Sequence, residues 1–178
     1  MAWTTPLTAV ANASLTAAQW NASVRDNLLM TAPALATTAG GFFVATGSNA
    51  LAQRVTDSDT IGTSETTTST SFVDLATVGP TVTVTTGPRA FVFVSGQATN
   101  NTATSGTFMG FAVSGATTVS AVDSSSMVFY PASSGQPHQA TRVVAQGLTA
   151  GSNTFRSKYR VAANTGTFSQ RNICVIPF

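Results

Sequence analysis

The order of apolar and polar positions divides this chain into one short helical stretch and a long β region. In "SLTAAQWNASVRDNLLMTAP", residues 14 to 33, Trp20, Val24 and Leu28 recur at i, i+4 and i+8, one apolar stripe on a helix. Thr16 and Gln19 have the spacing of a capping box, and Leu15 and Trp20 that of a hydrophobic staple. Pro33 is expected to end the helix, because the residue before a proline avoids the α region. A helix of roughly 14 residues is marginal alone in water. It must therefore dock on its own β region, on symmetry copies or on a neighbouring protein.

From residue 71 the period changes to two. "FVDLATV", "TVTVTT", "RAFVFVSG", "TFMGFAVSG", "SMVFYP", "ATRVVAQGL", "NTFRSKYRVA" and "GTFSQRNICVIPF" are candidate strands, separated by turn-rich segments. This pattern predicts a mainly β fold, an antiparallel β-sandwich or jelly roll, preceded by an extended arm, one short α-helix and a linker. In "NTFRSKYRVA", Phe155, Tyr159 and Val161 share one face and Arg156, Lys158 and Arg160 the other. "RAFVFVSG" alternates less well and is expected to be buried on both faces. Upstream, "FFVATGSNALAQRV" has the look of a hairpin turning near Gly47-Ser48-Asn49. The expected division is 1–55 as arm, anchor helix and connector, 56–70 as a polar linker, and 71–178 as the sandwich.

Composition changes this picture in one respect. Only 8% of residues are charged, against a usual figure of about 25%. Thr (31) and Ser (19) must cover most of the surface. A free monomer ordinarily keeps more charge for solubility, so a surface of this kind fits a chain that buries itself against copies or neighbours. Disorder is a poor alternative, because Val, Ile, Leu and Phe are frequent and alternate with polar residues. The net charge of +2 and the lack of any long apolar run give no reason to expect a nucleic-acid or membrane partner.

Candidate chemistry is sparse. His138 is the single histidine, and no paired-ligand spacing accompanies it, so no metal, cofactor or catalytic group is expected. Asp57 and Asp59 are the closest carboxylates, and as residues of a polar linker they are expected to be solvated rather than catalytic. Cys174, within Ile173-Cys174-Val175-Ile176, is expected to be a buried small hydrophobe. The stripe Arg156, Lys158 and Arg160 is a candidate face for an anionic partner, although an ordinary solvated strand face has the same pattern.

"WTTPLTAV", followed by "LTAAQWNASVRDNLL" and "TAPA", resembles the N-terminal segment of a family of tailed-bacteriophage virion proteins. "TSTSFVDLATVGPTVTVTTG", "MGFAVSGATT", "GLTAGSNTFRSKYRV" and "GTFSQRNICVIP" are similar to the β-sandwich modules of phage fibres and head-surface proteins. The resemblance implies a non-enzymatic structural role on the virion, with trimeric assembly. Trp3, Leu15, Trp20, Val24 and Leu28 would then fill apolar pockets of the particle or of symmetry mates, and Arg25 and Asp26 would fix register. Two locations stay open. One is the capsid exterior, as a decoration or head-fibre protein on the major capsid protein. The other is the tail, as a fibre or receptor-binding protein. A length of 178 residues favours the capsid. A third reading is a lectin-like domain for a host-surface glycan, hinted at by Tyr130 beside Pro131.

Overall fold

The computed structural model describes residues 4–8 and 10–178, and the chain divides into two compact units, Met1–Val55 and Thr56–Phe178. Trp3 lies outside the described residues.

In the first unit the predicted helix starts as its capping box requires. The Thr16 hydroxyl accepts from the Gln19 N–H at 3.2 Å, and the Gln19 side chain accepts from the Thr16 N–H at 3.0 Å. After one α-turn, α1 (Ala17–Trp20), the backbone widens into a π-turn (Asn21–Arg25) before α2 (Asp26–Leu28). The Asp26 N–H donates to the Asn21 carbonyl, the five-residue spacing of a π-bulge. Two sequence expectations are corrected here. The widened turn rotates less per residue and so shifts the phase between Trp20 and Leu28, and the stripe is not a simple α-helical one. The helix also ends at Leu28, well before Pro33. Pro33 belongs to a separate turn, α3 (Ala32–Leu35), where a missing N–H costs nothing because the first helical N–H groups have no partner. The hairpin forms as expected, β1 (Phe42–Gly47) with β2 (Ala50–Arg54), and Asn49 takes a positive φ of 56° in its turn.

The second unit begins with a correction. Residues 56–70, expected to be a polar linker, carry β3 (Asp57–Ile61) and β4 (Glu65–Thr67), and both pair with the last strand, β11 (Gly166–Pro177). By contrast "FVDLATV" forms no strand beyond a single bridge between Val73 and Tyr159. Its Leu75 is buried in the core from a loop. The remaining candidates are strands: β5 (Thr81–Thr86), β6 (Arg89–Asn100), β7 (Thr107–Gly115), β8 (Met127–Phe129), β9 (His138–Gly147) and β10 (Gly151–Val161).

The pairing defines a jelly roll. Taking β3 and β4 as one first strand, first pairs with last (β11), β5 with β10, β6 with β9 and β7 with β8. This is one long hairpin rolled over, closed by β11 on β6 and β10 on β7. The result is two antiparallel sheets, β5-β10-β7-β8 and β3-β11-β6-β9, with β4 also on β11. Their inner faces meet in one core containing Val92, Val94, Phe111, Phe155, Tyr159, Phe168, Ile173 and Val175. Phe168 and Ile173 are an odd number of residues apart, yet both point inward. A β-bulge between Ser169 and Asn172, with Gln170 at φ 49°, resets the alternation and turns Arg171 into the core.

Two expectations about strand faces also change. Cys174 alternates outward between buried Ile173 and Val175, so it is half-buried rather than in the core, and burial raises its thiol pKa, with a further push from Asp57. On β6 the inner residues are buried, but Phe91 and Phe93 point to the opposite side and are not buried in this chain.

Candidate functional site

The first unit is organised around polar clamps rather than a core. Asn27 is the single buried residue among its described positions, at 3% exposure. Its Oδ1 accepts from the Thr4 N–H at 3.0 Å and from the Thr4 hydroxyl at 3.1 Å, and its Nδ2 donates to the Thr4 carbonyl at 3.0 Å and the Ser23 carbonyl at 3.1 Å. The Ser23 hydroxyl accepts from the Leu7 N–H at 3.0 Å. Asn27 and Ser23 thus hold the arm along the helix by saturating its backbone, the way a buried amide must be satisfied. Sequence reasoning missed both. The signal was present, an amide and a hydroxyl four residues apart on a helix, but its partner was a distant backbone.

Several of the described apolar residues of this unit are exposed. Trp20 is 55% exposed and Leu28 61%, and Leu7, Val10, Leu15 and Leu29 are exposed as well. Leu7, Leu15, Trp20 and Val24 line a small apolar hollow of about 190 Å³. A larger hollow of about 550 Å³ lies between the α3 turn and the hairpin, lined by Met30, Ala45 and Leu51 among others. The structure therefore brings Leu15, Trp20 and Val24 together and leaves Leu28 exposed. Arg25 and Asp26 pair with each other at 2.8 Å at the surface, a contact worth little in itself.

In the second unit the basic stripe sits on the outward side of β10, but two of its three cations are engaged within the chain. Lys158 Nζ contacts Asp74 at 2.7 Å. Arg160 forks onto the Asp123 carboxylate, with Nε to Oδ1 at 2.7 Å, and its guanidinium lies 3.7 Å over the Phe108 ring. Arg156 is half-buried, and its Nε has no hydrogen-bond partner among the described residues. The stripe is thus mostly a fastening for the two loops that carry Asp74 and Asp123. Between those loops lies an open groove of about 800 Å³, lined by Phe72, Asp123, Lys158, Arg160 and serine and threonine hydroxyls. Tyr130 is exposed nearby in the chain and meets Phe108 edge-on, with ring centroids 6.2 Å apart.

The remaining candidate groups make contacts within the second unit. His138 stacks on Phe129 at 3.9 Å. Asp59, expected in a solvated linker, accepts from the Thr81 N–H at 2.8 Å and ties β3 to β5. Arg171 is 0% exposed and reaches Glu65 at 3.3 Å and the Thr63 carbonyl at 3.1 Å. Glu65 also accepts from the hydroxyl and N–H of Thr77. Its pKa is held below the usual carboxylate range, first by the Thr77 hydroxyl and further by the Thr77 N–H and Arg171, against a raising contribution from burial. Among the described residues no group of three or more His, Cys, Asp or Glu side chains is placed to hold a metal ion.

No protein-family model matches the chain, and no curated protein matches it. Solved structures with a similar course of the chain include Eiger TNF from S. frugiperda, at 12% identity and a TM-score of 0.46, covering 70% of this chain and 92% of that one. They also include a carbohydrate-binding module (CBM6cm-2) from Cellvibrio mixtus lichenase 5A in complex with cellotriose, at 11% identity and a TM-score of 0.31, covering 78% of this chain and 88% of that one. These likenesses are too distant to argue from. The class of the protein, a jelly-roll β-sandwich that follows a smaller unit along the chain, rests on its own strand pairing.

Proposed function

We propose that the chain is a non-enzymatic structural protein of a tailed-phage virion, attached through residues 1–55 and presenting its jelly roll at the particle surface. The observation that carries this reading is the first unit itself. Among its described residues no apolar side chain is buried, and Leu15, Trp20 and Leu28 face solvent beside a helix too short to persist alone. A unit of that kind gains its stability by covering those side chains with something else, and exposed apolar surface of this extent marks an interaction site. The sequence resemblance of the "WN..VRDNL" segment to virion anchors supplies the partner: the major capsid protein, or tail proteins in the alternative placement. We place it on the capsid exterior as a decoration or head-fibre protein, and as a homo-oligomer, with the trimer the expected state. Immunoelectron microscopy of gradient-purified particles tests the placement. Label on heads supports it, label on tails selects the fibre alternative, and a chain recovered only outside the particle fraction contradicts both.

A second reading concerns the jelly roll. The groove holds the Asp123 carboxylate in a fixed fork, beside hydroxyls and the Phe72 ring, a set suited to saccharide hydroxyls. A glycan ligand there would be bound in addition to particle attachment. Asp123→Asn should abolish retention on a glycan array, and an array with no binding by the native chain would dismiss it.

A further inference from the structure

The two sheets of the jelly roll differ in what they show outward. On the sheet of β5, β10, β7 and β8, the outward row of β10 is Arg156, Lys158 and Arg160. On the other sheet, strand register lines up Ile176 with Phe91, and Cys174 with Phe93 and then Val143. Phe178 closes the row, edge-on to Phe91 with ring centroids 4.9 Å apart. Phe91 is 40% and Val143 47% exposed. Further along the same face come Asn172, Ser95 and Thr141, all neutral. The charged residues of these strands have the inward parity: Asp57 and Asp59 pair with inward-facing Val175 and Ile173, Arg142 pairs with Val94, and Arg171 is buried. Arg89, at the start of β6, is the exception and sits at the rim.

We propose that this uncharged face is covered by a second copy of the chain, so that the jelly roll carries a self-association surface of its own, independent of particle attachment through the first unit. Two considerations favour a second copy as the occupant. In a symmetric contact, residues near the axis meet their own equivalents, where any charge would oppose a like charge. A face cleared of charge except at its rim satisfies that condition, and it offers none of the charge pattern by which unlike proteins select one another. The dimensions also fit. Four strands at about 4.8 Å spacing and about ten residues at about 3.3 Å rise give a face on the order of 600 Å², close to the ~800 Å² per partner of a stable interface.

Cys174, the only cysteine, lies within the patch and reports on its cover. The experiment is the rate of maleimide modification of Cys174 in the folded full-length chain, compared with Phe91→Gln and Val143→Gln. Neutral replacements leave the charge around the thiol unchanged, and both sites are on the surface of the single chain. The native chain at micromolar concentration should react at least tenfold more slowly than either variant, and its rate should rise on dilution. Trp20→Ala, which alters only the first unit, should leave Cys174 protected. A native rate equal to that of the variants overturns the proposal. So does protection that survives both substitutions and dilution, because the chain itself then shields the thiol. Should Phe91→Gln fail to fold, Val143→Gln and the dilution series decide alone. Exposure of Cys174 by Trp20→Ala would overturn the independence of this surface from the first unit.

Discussion

Two buried residues show how specific side chains constrain this molecule. Arg171 is fully buried against Glu65, and a buried ion pair is weak evidence of net stability, whereas breaking one is costly. Glu65→Ala leaves a guanidinium in the core with its carboxylate gone, and should lower unfolding free energy by about 3–5 kcal/mol in urea denaturation. Asp26→Ala, which removes a surface pair, should change it by less than about 1 kcal/mol. Tyr159 gives a pH test. Burial pushes its phenol up to about 12 from an ordinary value of 10.0, and its hydroxyl has no hydrogen-bond partner among the described residues. The folded state therefore disfavours the phenolate. Stability contributed by the neutral ring is complete below pH 10 and is lost as pH rises from 10 towards 12. Tyr159→Phe should leave the melting temperature at pH 7 within a few degrees and remove that part of the alkaline decline. An unaltered decline between pH 10 and 12 would show that the phenol is not its source.

At the scale of elements, the strands were legible where alternation was strong and opaque where pairing overrode composition. "NTFRSKYRVA" announced its two faces, and the capping box announced the start of the helix, because both are local rules. "TDSDTIGTSETT" did not announce β3 and β4, because edge strands beside β11 take their hydrogen bonds from a partner more than a hundred residues away. "FVDLATV" had the right residues for a strand, but it folds as a loop whose Asp74 meets Lys158 and whose Leu75 plugs the core. The bulge at Gln170 was invisible for the same reason: only the opposing strand defines it. The hollow holds Leu15 and Trp20, the pair with staple spacing, and Val24, but not Leu28, the third member of the expected stripe; the Asn27 clamp gave no local signal, since its partner is the backbone of the arm. These pairings lead to a truncation test. Residues 56–178 should melt cooperatively with β-type circular dichroism. Residues 71–178, which lack β3, β4 and Glu65, should not, because the Arg171 charge is then buried alone. Equal cooperative melts from the two would show that the segment 56–70 is dispensable.

For the whole molecule, the governing contrast is between a jelly roll with a closed core and a first unit in which no described apolar side chain is buried. The low charge of the chain is consistent with that division. Of its six carboxylates, Asp26, Glu65, Asp74 and Asp123 are in ion pairs within the chain, so little charge is left to keep apolar surface in solution. Residues 1–55 should serve attachment, and residues 56–178 should carry their own stability. Trp20→Ala separates the two directly. Truncating a Trp that is buried at an interface costs about 3–5 kcal/mol, so occupancy of gradient-purified particles, measured by gel against the major capsid protein, should fall at least tenfold. The melting temperature of the jelly roll in the same variant should stay within about 2 °C of the native value, since Trp20 takes no part in the core cluster. Normal occupancy together with a lowered melt would show that Trp20 serves the folding of the jelly roll and not attachment.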